Sequence, residues 1–227
     1  MGACRVELVR GGTIESLIER ATHARMLVLG SYGEGAGSGM LSGEVALALA
    51  GTVPCPVAVV RGASPQAAPP RGGPVVVGVD GSATSHAAAL LAAEISGSLG
   101  CRLVAVHAWS DVEVSARGLR RRSEDWAELA QQGGAVLAAE IGEVTELYPA
   151  LIVEDELVHD TSVRALLHRA GNAWALVVGH RGERAVHGMG LGSTSRALVE
   201  FAPCPVIVSP PVLDPAVGEF EAMEVTR

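Results

Sequence analysis

An internal repeat constrains this chain more than any other feature of its sequence. After a constant shift of 149 positions, residues near the start fall on residues near the end without a gap. The matched positions include three glycines and a Pro-Cys-Pro-Val tetrapeptide in each copy: Gly30, Gly33, Gly43 and 54–57 against Gly179, Gly182, Gly192 and 203–206. Self-similarity at a fixed spacing indicates two copies of one structural unit, so both copies must adopt the same local fold.

The two copies are not equally complete. Residues 74–152 precede the matching region in the second copy, whereas the first copy has no such segment in this sequence. We therefore expect residues 1–61 to form the C-terminal half of a first domain and residues 74–210 to form a complete domain. Proline and glycine are dense in residues 62–73, which we interpret as a linker, and residues 211–227 form an acidic tail.

Apolar runs alternate with amphipathic segments in both copies, which is typical of strands separated by helices. The first copy predicts strands at 5–9, 26–29 and 57–60 and helices at 14–24 and 43–50. The second predicts strands at 75–79, 101–109, 151–158, 173–178 and 205–208, with helices at 85–99, 123–141, 163–170 and 195–201 and a loop with part of a helix at 111–122. This alternation predicts an α/β fold: an open, parallel, five-stranded sheet with helices on both faces, plus a half-copy of the same unit.

A glycine-rich loop follows the apolar run that ends at Val178. Its spacing is Gly179-x2-Gly182-x9-Gly192-Ser193, and an apolar-periodic segment follows at once. Glycine lets a ligand approach the backbone closely. Ser193 and Thr194 stand where helix N-cap hydroxyls belong, and the free N–H groups of a first helical turn suit a phosphate. The loop is interpreted as a phosphate site, the alternative being a tight connection without a ligand.

An aspartate ends the first strand of the second copy, in the sequence Val-Gly-Val-Asp80-Gly-Ser. Open α/β sheets place ligands at the carboxyl ends of their strands, where the strand order reverses. The first and fourth strands meet there, so Asp80 and Gly179 are expected to converge although about 100 residues separate them. Read alone, Asp80 could instead be a helix cap.

The two motifs together resemble the signature of the universal stress protein (UspA) family, whose fold is Rossmann-like and similar to that of the adenine nucleotide alpha hydrolases. The resemblance implies a tandem-type protein whose first copy is truncated. It also implies that the protein binds ATP, with or without Mg²⁺. It assigns adenine or ribose contacts to Asp80 with the backbone near it, and phosphate contacts to the glycine loop. The implied nucleotide-binding residues are Gly78, Val79, Asp80, Ala108, Val178, Gly179, Arg181, Gly182, Gly192, Ser193, Thr194 and Ser195.

The same resemblance implies how copies associate. Family members similar to this one pair through the last strand in an antiparallel edge contact. We therefore expect either a homodimer or pairing of the two copies within the chain, through Val57 to Val60 and Pro205 to Val208.

The first copy departs from the pattern at Glu44, which stands where the second copy has Ser193. A carboxylate at that helix start occupies the place of a phosphate and repels one. The first copy is therefore expected not to bind nucleotide.

Composition excludes several functions. A formal charge of −8 argues against a nucleic-acid binder. No apolar stretch reaches the length of a membrane span, no signal peptide is recognisable, and the four cysteines have no metal-site spacing; a cytoplasmic protein with buried thiols is expected.

There is no Walker loop and no catalytic dyad at motif spacing. We therefore expect an ATP-binding stress sensor or regulator, with at most slow ATP hydrolysis and no assigned catalytic residue. The alternatives are a nucleotide-free dimerising interaction module of the same fold, and an enzyme that uses ATP to activate a substrate.

Overall fold

The computed structural model describes residues 4–30, 44–60, 72–110, 112–114, 120–122, 126–182 and 190–210. The helices are α1 (Thr13–Ala21), α2 (Glu44–Leu49), α3 (Ala83–Leu99), α4 (Trp126–Leu147), α5 (Ser162–Ala170) and α6 (Ser193–Phe201). The strands are β1 (Leu27–Gly30), β2 (Val57–Val60), β3 (Val75–Gly78), β4 (Leu103–Trp109), β5 (Val112–Val114), β6 (Arg120–Arg122), β7 (Val153–His159), β8 (Ala175–Gly179) and β9 (Val206–Ser209).

The main sheet has seven strands in the order β1-β2-β9-β8-β3-β4-β7. The second copy contributes five of them, and every pair among those five is parallel. The chain first builds outward from β3 through β4 to β7, then returns to β3's other side with β8 and β9. The predicted parallel α/β sheet is therefore confirmed, and its switch point lies between β3 and β8.

The two copies join through their last strands. β2 pairs antiparallel with β9, with Val57 opposite Val208 and Val59 opposite Val206. β9 also pairs with β8 on its other side, so both of its edges are used within one chain. The intrachain form of the expected contact is thus the one observed, and β9 keeps no edge for a second chain.

Two apolar clusters fill the two faces of the sheet. One packs α5 and α6 side chains against residues of α1, α2 and β2, so the two copies share it. The other packs α3 and α4 against β3, β4 and β8. Valine, leucine and alanine dominate both clusters, because the chain is only 3% aromatic. Burial stabilises the fold by about 25 cal/mol per Å² of apolar surface, and each small side chain buries little surface. The stability of the core therefore comes from the large number of such side chains.

The strand predicted at residues 5–9 is wrong, because that segment is extended but unpaired. Val6 and Leu8 are 92% and 95% exposed. The repeat explains this result. The equivalent segment of the second copy is β7, whose partner in the sheet is β4, and this sequence holds no counterpart of β4 before residue 5.

The segment after β4 also differs from expectation. Residues 112–114 and 120–122 form a short antiparallel hairpin rather than a loop with part of a helix. Arg120 to Arg122 therefore lie in a strand. The tail, the first-copy loop at 31–43 and most of the linker lie outside the described residues.

Several helices start one or two residues away from the predicted position. The N-caps are Gly12 for α1, Ser82 for α3 and Thr161 for α5. None of the helices in the described part of the chain has the length and apolar content that a bilayer span requires.

We expect the cysteines to differ in reactivity. Burial raises the pKa of the Cys204 thiol to about 11, and it also raises the pKa of Cys55, whereas Cys4 is exposed. Because the thiolate is the nucleophile, a thiol reagent at pH 8 should label Cys4 within minutes and Cys204 only after unfolding. Mass spectrometry with and without denaturant checks this, and rapid native labelling of Cys204 would contradict it.

Candidate functional site

The site lies where β3 and β8 end side by side. Asp80 follows β3 by two residues, and the glycine loop leaves β8 at Gly179. A Cβ added at Gly182 would lie 2.5 Å from Asp80 Oδ2, so this carboxylate sits directly against the loop backbone. The two sequence motifs thus come together.

Asp80 is tied to the start of α3 by one of its carboxylate oxygens. Its Oδ1 accepts hydrogen bonds from Ser82 Oγ at 2.6 Å and from the Ser82 N–H at 3.1 Å. Ser82 is the N-cap of α3, and its Oγ also accepts from the Ser85 N–H. These bonds hold the carboxylate in one orientation, with Oδ2 toward Gly182.

Thr84 connects α3 to the glycine loop. Its hydroxyl donates a hydrogen bond to the carbonyl of Arg181. A Cβ at Gly179 would lie 2.6 Å from Thr84 Oγ1 and 2.9 Å from the Thr84 backbone, so only glycine allows this approach. Sequence reasoning missed Ser82 and Thr84. The signal was available as three hydroxyl residues within five positions of Asp80, at a helix start.

The start of α6 differs from expectation in its capping. Gly192 is the N-cap, and neither Ser193 nor Thr194 caps the helix, because both already lie in its first turn. The Gly192 N–H donates to the His180 carbonyl at 2.8 Å, so it is already used within the loop. Ser195 is buried and its hydroxyl donates to the Gly179 carbonyl at 2.6 Å, which makes it a support of the loop.

The first turn of α6 still offers anion-binding groups. No side chain caps this helix within the described residues, so the N–H groups of Ser193 and Thr194 face the helix entrance. Ser193 is exposed and Thr194 half-buried. The turn combines these donors with the positive end of the helix dipole, which suits a phosphate.

Arg181 reaches along the loop. Its Nε donates to the Gly190 carbonyl at 2.8 Å, which joins the entry of the loop to its exit. Residues 183–189 of the loop lie outside the described residues.

The expected base-binding residues lie in the sheet next to Asp80. Gly78 packs against Leu166 of α5, Val178 is a core residue, and Ala108 is half-buried near the end of β4. The Val79 N–H donates to the Val106 carbonyl, and the Val79 carbonyl lies 2.9 Å from His107 Nδ1.

His107 is the structural histidine of this strand end. A carbonyl can only accept, so His107 donates from Nδ1 to Val79.

An aromatic cluster lies one residue beyond Ala108. The Trp109 and His159 rings stack with centroids 4.3 Å apart, and Trp126 contacts both rings. Trp109 and His159 end the paired strands β4 and β7, so the cluster lies at the carboxyl ends of these strands.

His180 is the one site residue with a strongly shifted pKa among the described groups. It is 6% exposed, and its Nδ1 has no hydrogen-bond partner within the described residues. Burial, with the nearby Arg181 charge, lowers the pKa of His180 to about 4. The ring is therefore neutral at physiological pH and serves as packing beneath the loop.

The described groups of the site are backbone N–H donors, hydroxyls and one carboxylate. Within the described part of the chain, no group of three or more His, Cys, Asp or Glu side chains could hold a metal. The loop entry at Gly179, where a Cβ would meet the Thr84 backbone, and the start of α6, which has no side-chain cap, offer backbone donors beside the Asp80 carboxylate.

Fold and site together define a doubly wound α/β protein whose switch-point edge is the place for a ligand. The model of the Universal stress protein family matches residues 4–61 and 73–210, so the chain belongs to this family. Universal stress protein Rv2005c of Mycobacterium tuberculosis is 37% identical over 204 residues, 89% of this chain and 68% of its own length. Universal stress protein Rv1996 of the same organism is 37% identical over 212 residues, 93% of this chain and 67% of its own length.

A solved structure supports the fold. The crystal structure of a universal stress protein from Archaeoglobus fulgidus DSM 4304 has a TM-score of 0.60 and covers 87% of this chain and 66% of that chain. Its identity of 22% makes this a likeness of fold alone.

The tight approach at Gly179 predicts opposite effects of two alanine substitutions. Gly179→Ala forces a methyl group into the Thr84 backbone and should cost about 1–3 kcal/mol of unfolding free energy. Gly97→Ala in α3 meets nothing within 4 Å and should stabilise by up to about 1 kcal/mol. Urea unfolding of both variants checks the pair; equal effects would contradict the assigned close approach.

Burial of His180 predicts a loss of stability in acid. Above pH 6.5 the residue is neutral in both states and contributes no pH dependence. Between pH 6.5 and about 4, His180 is protonated in the unfolded chain but stays neutral in the folded chain. The free energy of unfolding therefore falls as the pH falls, by about 1–2 kcal/mol at pH 5. Below about 4 both states are protonated and the loss levels off.

The measurement compares urea unfolding at pH 7 and pH 5. His180→Leu should lose less stability than the wild type over this interval, whereas His23→Leu, at an exposed histidine, should behave as the wild type does. Identical pH dependence in His180→Leu and the wild type would refute the buried, neutral ring.

Proposed function

We propose that this chain binds an adenine nucleotide, ATP, at the carboxyl edge of β3 and β8 in its second copy, and acts as a sensor or regulator in a stress response. One observation carries the proposal: the Asp80 carboxylate lies against Gly182 of a glycine loop that leads to a helix start with no side-chain cap. A ligand at that point would meet a hydroxyl acceptor and phosphate donors at once.

Different residues of the site would contact different parts of the nucleotide. The loop backbone from Gly179 to Gly182 and the N–H groups of Ser193 and Thr194 would receive the phosphates. Asp80 Oδ2 would accept from the ribose or the base, with Ala108 and Val79 beside it. Mg²⁺ would arrive with the phosphates, since it is held chiefly by phosphate oxygens and water in such sites.

Two residues take roles other than the expected ones. The Ser195 hydroxyl and the Gly192 N–H hold the loop in shape, through Gly179 and His180 respectively. They would therefore act on the ligand through the loop backbone rather than by direct contact.

The first copy would not bind nucleotide. Glu44 is exposed at the first position of α2, where its negative charge meets the helix dipole. One ATP for each chain is the expected stoichiometry, in a cytoplasmic protein. Turnover would be slow at most, because the described site offers no base positioned against a phosphate.

Calorimetric titration of the purified chain with ATP and Mg²⁺ tests this function. The wild type should bind about one ATP per chain, and Asp80→Ala should weaken binding by about tenfold or more, because the ligand's hydroxyl loses its charged acceptor. Asp155→Ala removes an exposed carboxylate of β7 and should leave binding unchanged.

Each other outcome has a distinct meaning. No heat from a folded wild-type protein would refute nucleotide binding and leave the interaction module of the same fold. Release of AMP or pyrophosphate would instead identify an ATP-using enzyme. Equal binding by wild type and Asp80→Ala would place the ligand elsewhere.

A further inference from the structure

In the described part of the glycine loop, the first copy approaches the loop backbone closely at Gly51. Gly51 lies in the turn after α2, and a Cβ added there would be 3.3 Å from the Leu191 backbone nitrogen and 3.4 Å from the Gly190 carbonyl carbon. This is an approach of backbone to backbone, tighter than ordinary van der Waals contact. A side chain at position 51 would have to displace the exit of the loop.

The contacted residues are part of the loop's own framework. The Gly190 carbonyl accepts from Arg181 Nε, and the next residue but one, Gly192, donates to the His180 carbonyl. Leu191, which lies between them, is half-buried and packs against the apolar cluster that the two copies share. The exit of the loop is therefore held on one side by its own entry and on the other by the first copy.

From the entry of the glycine loop, the contacts continue to the motif that contains Asp80. The Arg181 carbonyl accepts from Thr84 at the start of α3, and Gly182 lies against Asp80 Oδ2. An unbroken series of contacts thus runs from Gly51 in the first copy through Gly190 and Arg181 to Asp80. The Gly51 approach is to backbone atoms, and the links that follow are hydrogen bonds or close contacts made by the side chains of Arg181, Thr84 and Asp80, so a displacement at the exit can reach the entry through them.

We infer that Gly51 is a positioning residue: the turn after α2 acts as a backstop that fixes the exit of the glycine loop in the binding geometry of the second copy. The first copy, on this inference, serves the site of the other copy although its own helix start carries Glu44. The inference rests on the proposed function for its effect on affinity, but the effect on the loop itself can be measured without a ligand.

The test substitutes Gly51→Leu, with Gly51→Ala as a milder form. Gly142→Leu in α4 is the matched control, because a Cβ there meets nothing within 4 Å. In the ligand-free protein, amide exchange of the Gly192 N–H is measured by NMR. Gly51→Leu should speed this exchange by about tenfold, and Gly51→Ala by less, because the Gly192 bond to His180 opens when the exit is displaced.

Calorimetric titration with ATP and Mg²⁺ gives the second readout. Gly51→Leu should raise Kd by about tenfold with a urea unfolding midpoint close to that of the wild type, since a small misplacement of a binding loop costs affinity before it costs the fold, and Gly142→Leu should keep the wild-type Kd. If Gly51→Leu does not fold, Gly51→Ala decides the question by the same two measurements.

The outcomes separate the two proposals. Unchanged Gly192 exchange in folded Gly51 variants overturns the backstop whatever ATP does. Faster exchange in a protein whose wild type binds no ATP refutes the proposed function and upholds the backstop. Faster exchange with an unchanged Kd shows that the exit of the loop does not govern binding, and overturns the role assigned to Gly51 in the site.

Discussion

The antiparallel pairing of β2 with β9 is the contact on which the rest of the molecule depends. It extends five parallel strands to seven and closes the edge of β9. Without it, β9 would present a row of unpaired backbone groups, and β2 would be paired with β1 alone. The pairing also brings α1 and α2 over the face that α5 and α6 share, so that one core serves both copies.

The candidate site is built from the backbone more than from side chains. Glycine at 179 admits Thr84, glycine at 182 admits the Asp80 carboxylate, and the hydroxyls of Ser82, Thr84 and Ser195 fix strand ends and loop to one another. The described donors lie at the loop entry and in the first turn of α6, and these hydrogen bonds hold them in place. Rigid donors lose little entropy on binding, which favours affinity from few contacts.

Sequence patterns identified most of the sheet, because apolar runs and glycine positions report strand ends directly. The strand at 57–60 was predicted to the residue, and Asp80 was placed correctly at the switch point. The pairing of strands is harder to predict from the sequence. Residues 5–9 have a strand's composition but no neighbour to bond with, and only the sheet order reveals this. The use of each hydrogen-bonding group is equally hidden, since nothing in the sequence distinguishes the Ser195 hydroxyl, which holds Gly179, from that of Ser193.

Because the sheet is shared, some positions of the first copy tolerate substitution and others do not. Val57 and Val59 pair with β9, and their side chains are buried in the common core. A polar substitution at either position would therefore weaken both copies at once. Glu44 lies on the surface, outside that interface, and a change there leaves the sheet intact. Substitutions in the first copy therefore act as interface substitutions where they fall on β2 or on the backbone approach at Gly51, and as surface substitutions where they fall on the start of α2.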